Sequence, residues 1–479
     1  MSGTGSGGGA VRLGGAAQAG TDGSTGVHGG AGAHGLAGDG NGAGTRTGTG
    51  TRAGTGTRAG TGTGDGPSDA AGGRVGARRA AAAAPAGSEP PPDPRRIEGL
   101  LLGIAAGDAA GWPAARHRAS RMPEWTRRLT RELDTFAEHN ATTTLPVPIA
   151  LNQPPEPLRL GPSDDAEWAA FTAESVLTAA GALLSDLGRD RRIRAAVDLA
   201  WNELAGEVAA AAGRAPEVES AVLPLRARIS VRAGLGNLAT GLRPPATGHD
   251  NPHFFDDAAC VRAAVLATVH PGSPSRAADL AECDARYTQD GDGVHGARAM
   301  AAAVAAALGG SDAETCVAAA MVQLPSGTEI RRNARHAVRL AREAAADRPG
   351  GAGNAFALVP VLEHEIVDHI YSYGIAAAET VPVALALCLA GGGSIAEAVP
   401  AAACLSRVAD SAPALAGALT GAIGGGAAIP GSWRKACRTL SGCALPRLAG
   451  RDLVELAELL VQTELTTPEG TFAEGTTCV

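Results

Sequence analysis

The sequence predicts one large all-α domain preceded by a low-complexity tail. Three observations predict it. Beyond residue 165, apolar residues recur at helical spacing in one segment after another. Few windows carry the alternating, β-branched texture of strands. No similarity recurs at a fixed period, which excludes an obvious solenoid. Of the 479 residues 44% are hydrophobic but only 3% aromatic, so the core must be built from Ala, Leu and Val.

Residues 1–95 are dominated by Gly, Thr, Ala and Ser, and Thr45-Arg46-Thr47-Gly48 is echoed by Thr51-Arg52-Ala53-Gly54. Such a stretch cannot bury enough apolar area to offset chain entropy, so a disordered tail is expected, closed by the stiff Pro90-Pro91-Pro92-Asp93-Pro94. From Arg96 the texture changes. Ile97, Leu100, Leu101 and Ile104 fall at helical spacing, while Gly99, Gly103 and Gly107 form a face of small residues for close packing on a neighbour. Asp108 to Pro113 is expected to end this helix. A charged helix is expected over about 116–140 and a proline-rich loop over about 141–163. Helices then follow at about 165–186, 191–213, 217–240, 256–269, 274–287, 293–308, 312–322, 327–347, 375–390, 394–408, 412–424 and 451–463. The domain is therefore expected to span 96–465, with a flexible tail over 466–479.

The formal charge of -8 argues against a nucleic-acid partner. None of the eight cysteines forms a CxxC pair, and most sit in apolar helical runs, as small core residues do in a reducing compartment. There is no basic, then apolar, leader and no apolar run of about 20 residues, so neither secretion nor a membrane span is expected. A cytoplasmic monomer is the expectation.

Chemistry concentrates first at Ser163-Asp164-Asp165, where a proline-broken loop gives way to an apolar helix. The three oxygen-bearing side chains can cap that helix. They can equally hold a hard divalent cation, which takes carboxylate and hydroxyl oxygens. Asp410-Ser411 opens a second small-residue helix, with Pro413 in its first turn and Gly417 and Gly421 four apart. There, too, cap and ligand are both open.

Taken together and in order, these segments resemble the ADP-ribosylglycohydrolase family, whose members include the dinitrogenase reductase-activating glycohydrolase. Ile97 to Gly111 is similar to its first helix and Gly-Asp-Ala-Leu-Gly turn, and Ser163-Asp164-Asp165 to its Thr-Asp-Asp motif. Asp410-Ser411, with the Ala-Gly-Ala-Leu helix after it, is similar to the end of its Gly-Asp-x-Asp-Thr motif. Glu379-Thr380-Val381-Pro382 and Ile429-Pro430-Gly431-Ser432-Trp433 also match. The resemblance covers Arg96 to Trp433. It implies a compact orthogonal helix bundle and hydrolysis of the glycosidic bond of an ADP-ribosylated protein or a small ribosyl glycoside by metal-activated water. It implies one or two Mg²⁺ ions, or Mn²⁺, on Ser163, Asp164, Asp165, Asp410 and Ser411, with Asp165 and Asp410 catalytic. A weakened member that binds ADP-ribose without efficient turnover is the alternative.

The departures motivate that alternative. Val408 stands where the family has the first acid of its C-terminal motif, and Pro113-Ala114-Ala115 lacks the acid of the N-terminal turn. Asp108, Asp256, Asp257, Phe255 and Tyr373 are expected to contact substrate. Asp256 and Asp257 are also candidates to replace the missing charge or to cap their helix, and Asp290 and Asp292 share the same alternatives. His249, Asn251, His253 and Phe254 form a polar-aromatic loop beside them, able to line a ribose pocket or to anchor itself in the core. His364 and His369 lie five apart, off one helical face, so the zinc reading fails.

Overall fold

The computed structural model describes residues 94–120, 161–214, 227–347, 354–367, 375–463 and 465. All fall within the unit Ala82–Val479. Among them there are sixteen α-helices and no strand, only two isolated bridges, Asp256 to Ala376 and Thr439 to Asp452. The all-α expectation holds. The tails over 1–93 and 466–479, most of the expected helix over 116–140 and loop over 141–163, and Tyr373 lie outside the described residues.

The first helices are α1 (Pro94–Ser120), α2 (Asp164–Ala180), α3 (Arg189–Arg214), α4 (Ile229–Ala239), the single turn α5 (Ala246–His249), α6 (Ala258–Leu266), α7 (Pro274–Ala285) and α8 (Gly291–Leu308). After them come α9 (Ala313–Gln323), α10 (Glu329–Asp347), α11 (Asn354–Glu365), α12 (Ala377–Ala390), α13 (Ile395–Cys404), α14 (Ala412–Gly424), α15 (Gly431–Cys437) and α16 (Leu453–Gln462). Helix α8 runs through the core, with every residue from Ala299 to Leu308 buried. Its alanines let α7, α9 and α6 come close on several sides.

Helices α1 and α14 meet backbone to backbone. A Cβ added at Gly103 would lie 2.1 Å from the Gly417 carbonyl oxygen, and one at Gly421 2.1 Å from that of Gly99. The same holds at Gly107, where a Cβ would lie 2.0 Å from Pro413 O. Both small-residue faces read from the sequence are thus the two halves of one interface. Beside the seam, Ile97, Leu100, Leu101 and Ile104 of α1 are fully buried.

Two expectations change. Helix α1 does not end at Asp108 to Pro113 but continues to Ser120, because Asp108 spends its carboxylate on another helix, as described below. Helix α11 falls where no helix was expected; Pro360 sits inside it, the residue that argues against a helix on sequence alone. Of the cysteines, Cys260, Cys316 and Cys388 are buried as expected, whereas Cys404 is exposed at the end of α13. Four aromatics gather in one place: Trp168 stacks on Trp201 at 6.0 Å, Trp201 on Tyr287 at 5.7 Å, and Phe171 meets Trp201 edge-on. No helix among the described residues is long and apolar enough to cross a membrane.

Candidate active site

The start of α2 is built by a residue of α1. Asp108 accepts the Ser163 N–H at 2.7 Å and the Ala166 N–H at 3.0 Å, so a carboxylate from another helix satisfies donors that α2 leaves open. Ser163 Oγ lies 2.7 Å from Asp108 Oδ1 and 3.0 Å from Asp164 Oδ1. Ser163 itself makes no capping bond. Asp108 therefore positions the Ser163-Asp164-Asp165 turn, all of it buried.

The acids of that turn then diverge. Glu167, fully buried, receives the backbone N–H groups of Cys443, Ala444 and Leu445 at 2.7–2.8 Å. It ties α2 to the segment after α15. Asp165 faces elsewhere, and its Oδ2 is buried without a hydrogen-bond partner. Burial pushes its carboxyl well above the usual range; Arg228 opposes that shift, and Asp108, Asp164 and Asp410 add to it.

The start of α6 supplies the second group. The Asp257 N–H donates to Ile375 O at 2.9 Å and the Ala377 N–H to Phe255 O at 3.1 Å, which clips this turn to the start of α12. Asp256 Oδ1 accepts the Ala258 N–H at 3.1 Å and Gln289 Nε2 at 2.8 Å, so Asp256 does act as a cap, while its Oδ2 is left buried and unpartnered. Asp257 is 1% exposed and neither of its oxygens has a donor in good geometry. Burial raises its carboxyl to about 7; Arg228 pulls downward, Asp256 pushes upward, and the nearby hydroxyls of Ser411 and Thr380 pull downward. Phe255 stacks against His253 at 5.6 Å and meets Phe254 edge-on at 5.7 Å, while Phe254 stays exposed, so the rings pack on one another rather than in the core. His249 pairs with Asp290 at 2.8 Å, and Asp292 Oδ2 takes the Ile330 N–H at 3.2 Å, so both loop acids have structural partners.

The start of α14 supplies the third. The Val408 carbonyl closes the turn by accepting the Ala412 N–H at 3.0 Å, and the Val408 side chain is fully buried. Ser411 is buried, whereas the Asp410 side chain keeps 26% of its surface exposed.

One residue joins the three helix starts. Arg228, immediately before α4, lies 3.8 Å from Asp165 Oδ1 through Nη2 and 3.4 Å from Asp257 Oδ1 through Nε. It pairs with Asp410 and donates to Ser411 Oγ. Burial works against its charge, but Asp410, Asp257 and Asp165 outweigh that and hold the guanidinium well above its usual pKa. The structure thus brings together Asp165 and Asp410, far apart in sequence, and adds Asp257. Sequence reading missed Arg228, which lay inside an expected helix among many other arginines. No local pattern in the sequence signals it, because its partners come from three separate helix starts. Among the described residues no group of three or more His, Cys, Asp or Glu side chains is arranged to hold a metal ion.

The fold is an all-α bundle in which buried carboxylates converge from distant helix starts. The model of the family described as ADP-ribosylglycohydrolase matches residues 90–468. The chain belongs to that family. A solved structure of an ADP-ribosylglycohydrolase-related protein complex is similar at 20% identity, covering 77% of this chain and 98% of that one with a TM-score of 0.41. At that distance it adds nothing to the family match. No curated relative matches the chain.

Proposed function

We propose that this chain binds an ADP-ribosyl group with its ribose toward the starts of α2, α6 and α14, and hydrolyses the glycosidic bond at the anomeric carbon. The conjugate would be an ADP-ribosylated protein or a small ribosyl glycoside. One observation carries the reading: in a chain of this family, Asp165, Asp257 and Asp410 converge on one point, and oxygens of the first two lack donors. Glycoside cleavage passes through an oxocarbenium-like state, which nearby carboxylates stabilise. Asp257, held near neutrality, suits proton transfer to or from water. Asp410, partly exposed, is the acid at the rim.

The side chains as they stand do not fit the pair of Mg²⁺ or Mn²⁺ ions that the family resemblance implies. Val408 offers no ligand atom, Ser163 Oγ is engaged with Asp108, and Arg228 stands between the acids. The reading therefore assigns no step to a metal. The same observation favours a second reading, binding of ADP-ribose without efficient turnover, because a guanidinium neutralises acids that hydrolysis would use.

The test is to incubate the full chain with ADP-ribosylated arginine and serine peptides, quantify released ADP-ribose, and titrate ADP-ribose calorimetrically. Release that disappears in Asp257→Asn and Asp410→Asn supports hydrolysis. Binding without release supports the second reading. Neither binding nor release defeats both.

A further inference from the structure

We propose that Arg228 is the resident cation of this acidic centre: it keeps divalent ions out, and its removal opens a divalent-cation site formed by Asp165, Asp257, Asp410 and Ser411. The inference concerns the charge of the centre and does not depend on which substrate binds there.

The first support is position. The guanidinium reaches all three carboxylates and the Ser411 hydroxyl from the point where the starts of α2, α6 and α14 meet. A cation placed among the same oxygens would have to displace it. The second is the oxygens left over. Asp165 Oδ2 and both oxygens of Asp257 are buried with no donor in good geometry, so one planar guanidinium does not use the acceptors available to it. Hard cations take about six oxygens, including waters, at roughly 2.0–2.6 Å. Two carboxylates on neighbouring helix starts, a third at the rim and a hydroxyl supply enough donors once the guanidinium is gone.

The third support is charge. Three carboxylates around one guanidinium leave an excess of negative charge, and in a buried setting each unpaired carboxylate is costly. Arg228 is the group that holds this excess in check. Without it the acids must take up protons or a cation. Fully buried Val408 matches this: at the position where another acid would deepen the excess, the chain carries an apolar side chain.

The fourth is support from behind. Arg228 is buried and its carbonyl accepts the Arg232 N–H at 3.2 Å, which fixes its main chain at the head of α4. Two residues on, buried Ser230 accepts Asn251 Nδ2 on its carbonyl at 2.8 Å and Gln289 Nε2 on its hydroxyl at 2.9 Å. The guanidinium therefore projects from a braced turn.

The experiment is Mn²⁺ binding to the full chain, read by electron paramagnetic resonance of the free ion, for wild type, Arg228→Gln and Arg228→Lys. Wild type is expected to bind Mn²⁺ weakly, and Arg228→Gln on the order of 10–100-fold more tightly, through removal of one unit charge at a few ångströms. Arg228→Lys keeps the charge and is expected to stay as weak as wild type. An Arg228→Gln variant that binds Mn²⁺ no more tightly than wild type overturns the proposal, as does a Lys variant that binds as tightly as the Gln variant. If Arg228→Gln does not fold, the melting temperature of wild type decides. Indifference to Mn²⁺, Mg²⁺ and EDTA supports a resident guanidinium, and a rise with either ion or a fall with EDTA overturns it. ADP-ribose titrated into the same wild-type sample tests the ribosyl reading separately, so the two can fail independently.

Discussion

Among the described residues two arginines, Arg228 and Arg262, are buried against acids, and the fold treats them in opposite ways. Arg262 is fully buried and each of its three nitrogens has a partner: Nε donates to Asp284 at 2.8 Å, Nη1 to Ala258 O at 3.0 Å and Nη2 to Thr288 Oγ1 at 2.9 Å. Its guanidinium also lies 4.9 Å from the Trp201 ring, and the Trp201 N–H takes the remaining Asp284 oxygen at 2.8 Å. Arg228 faces three acids instead of one, and oxygens around it stay unmatched. A buried network in which every nitrogen and both carboxylate oxygens have partners holds helices together. One with acceptors left over is poised to bind something else. Incomplete hydrogen bonding at a buried charge is what points to a functional site here.

The largest effect expected from this contrast is at the closed network. Arg262→Ala strands Asp284 in the core and should cost about 3–5 kcal/mol, read as a fall in urea midpoint. Glu167→Ala comes next. It leaves three backbone N–H groups without their acceptor and should cost about 2–4 kcal/mol in the same measurement. At the open centre the sign changes. Asp257→Asn removes a carboxyl that folding holds at about 7 against an ordinary 3.8. Between those values the folded chain keeps a proton that the unfolded chain has released, so this group lowers stability as pH rises from about 4 to about 7 and lowers it no further above. Stability measured across that range should fall less steeply in Asp257→Asn than in wild type, and at pH 8 the variant should be as stable or more so. A steeper fall, or a loss at pH 8 matching that of Arg262→Ala, would erase the distinction between the two centres. The smallest effect is at the surface: Arg339→Ala breaks an exposed i, i+4 pair with Glu343 and should cost only about 0.3–0.5 kcal/mol.

How legible these features were follows from the range of the interactions that make them. Helix α14 was readable to the residue, because its start (Asp410-Ser411-Ala412-Pro413) and its small-residue face are local. Helix α11 was not, since Pro360 contradicts it locally and tertiary packing of Leu358 and Leu362 overrides that. The Ser163 turn was recognisable as either cap or ligand, yet what caps α2 is Asp108, 55 residues earlier. No local pattern carries that bond. Arg228 is the extreme case: its role exists only where three helix starts meet, and a single guanidinium leaves no spacing to read.

The glycine seam between α1 and α14 also sets an order of events. Gly103 emerges from the ribosome about 300 residues before Gly417, its partner across the seam. At roughly 5–20 residues per second, α1 waits on the order of 15–60 s with its apolar face of Ile97, Leu100 and Ile104 uncovered. Closing so long a loop is slow as well as late. The earliest helix made is thus among the last to find its place, and during synthesis it is a natural segment for a chaperone to shield.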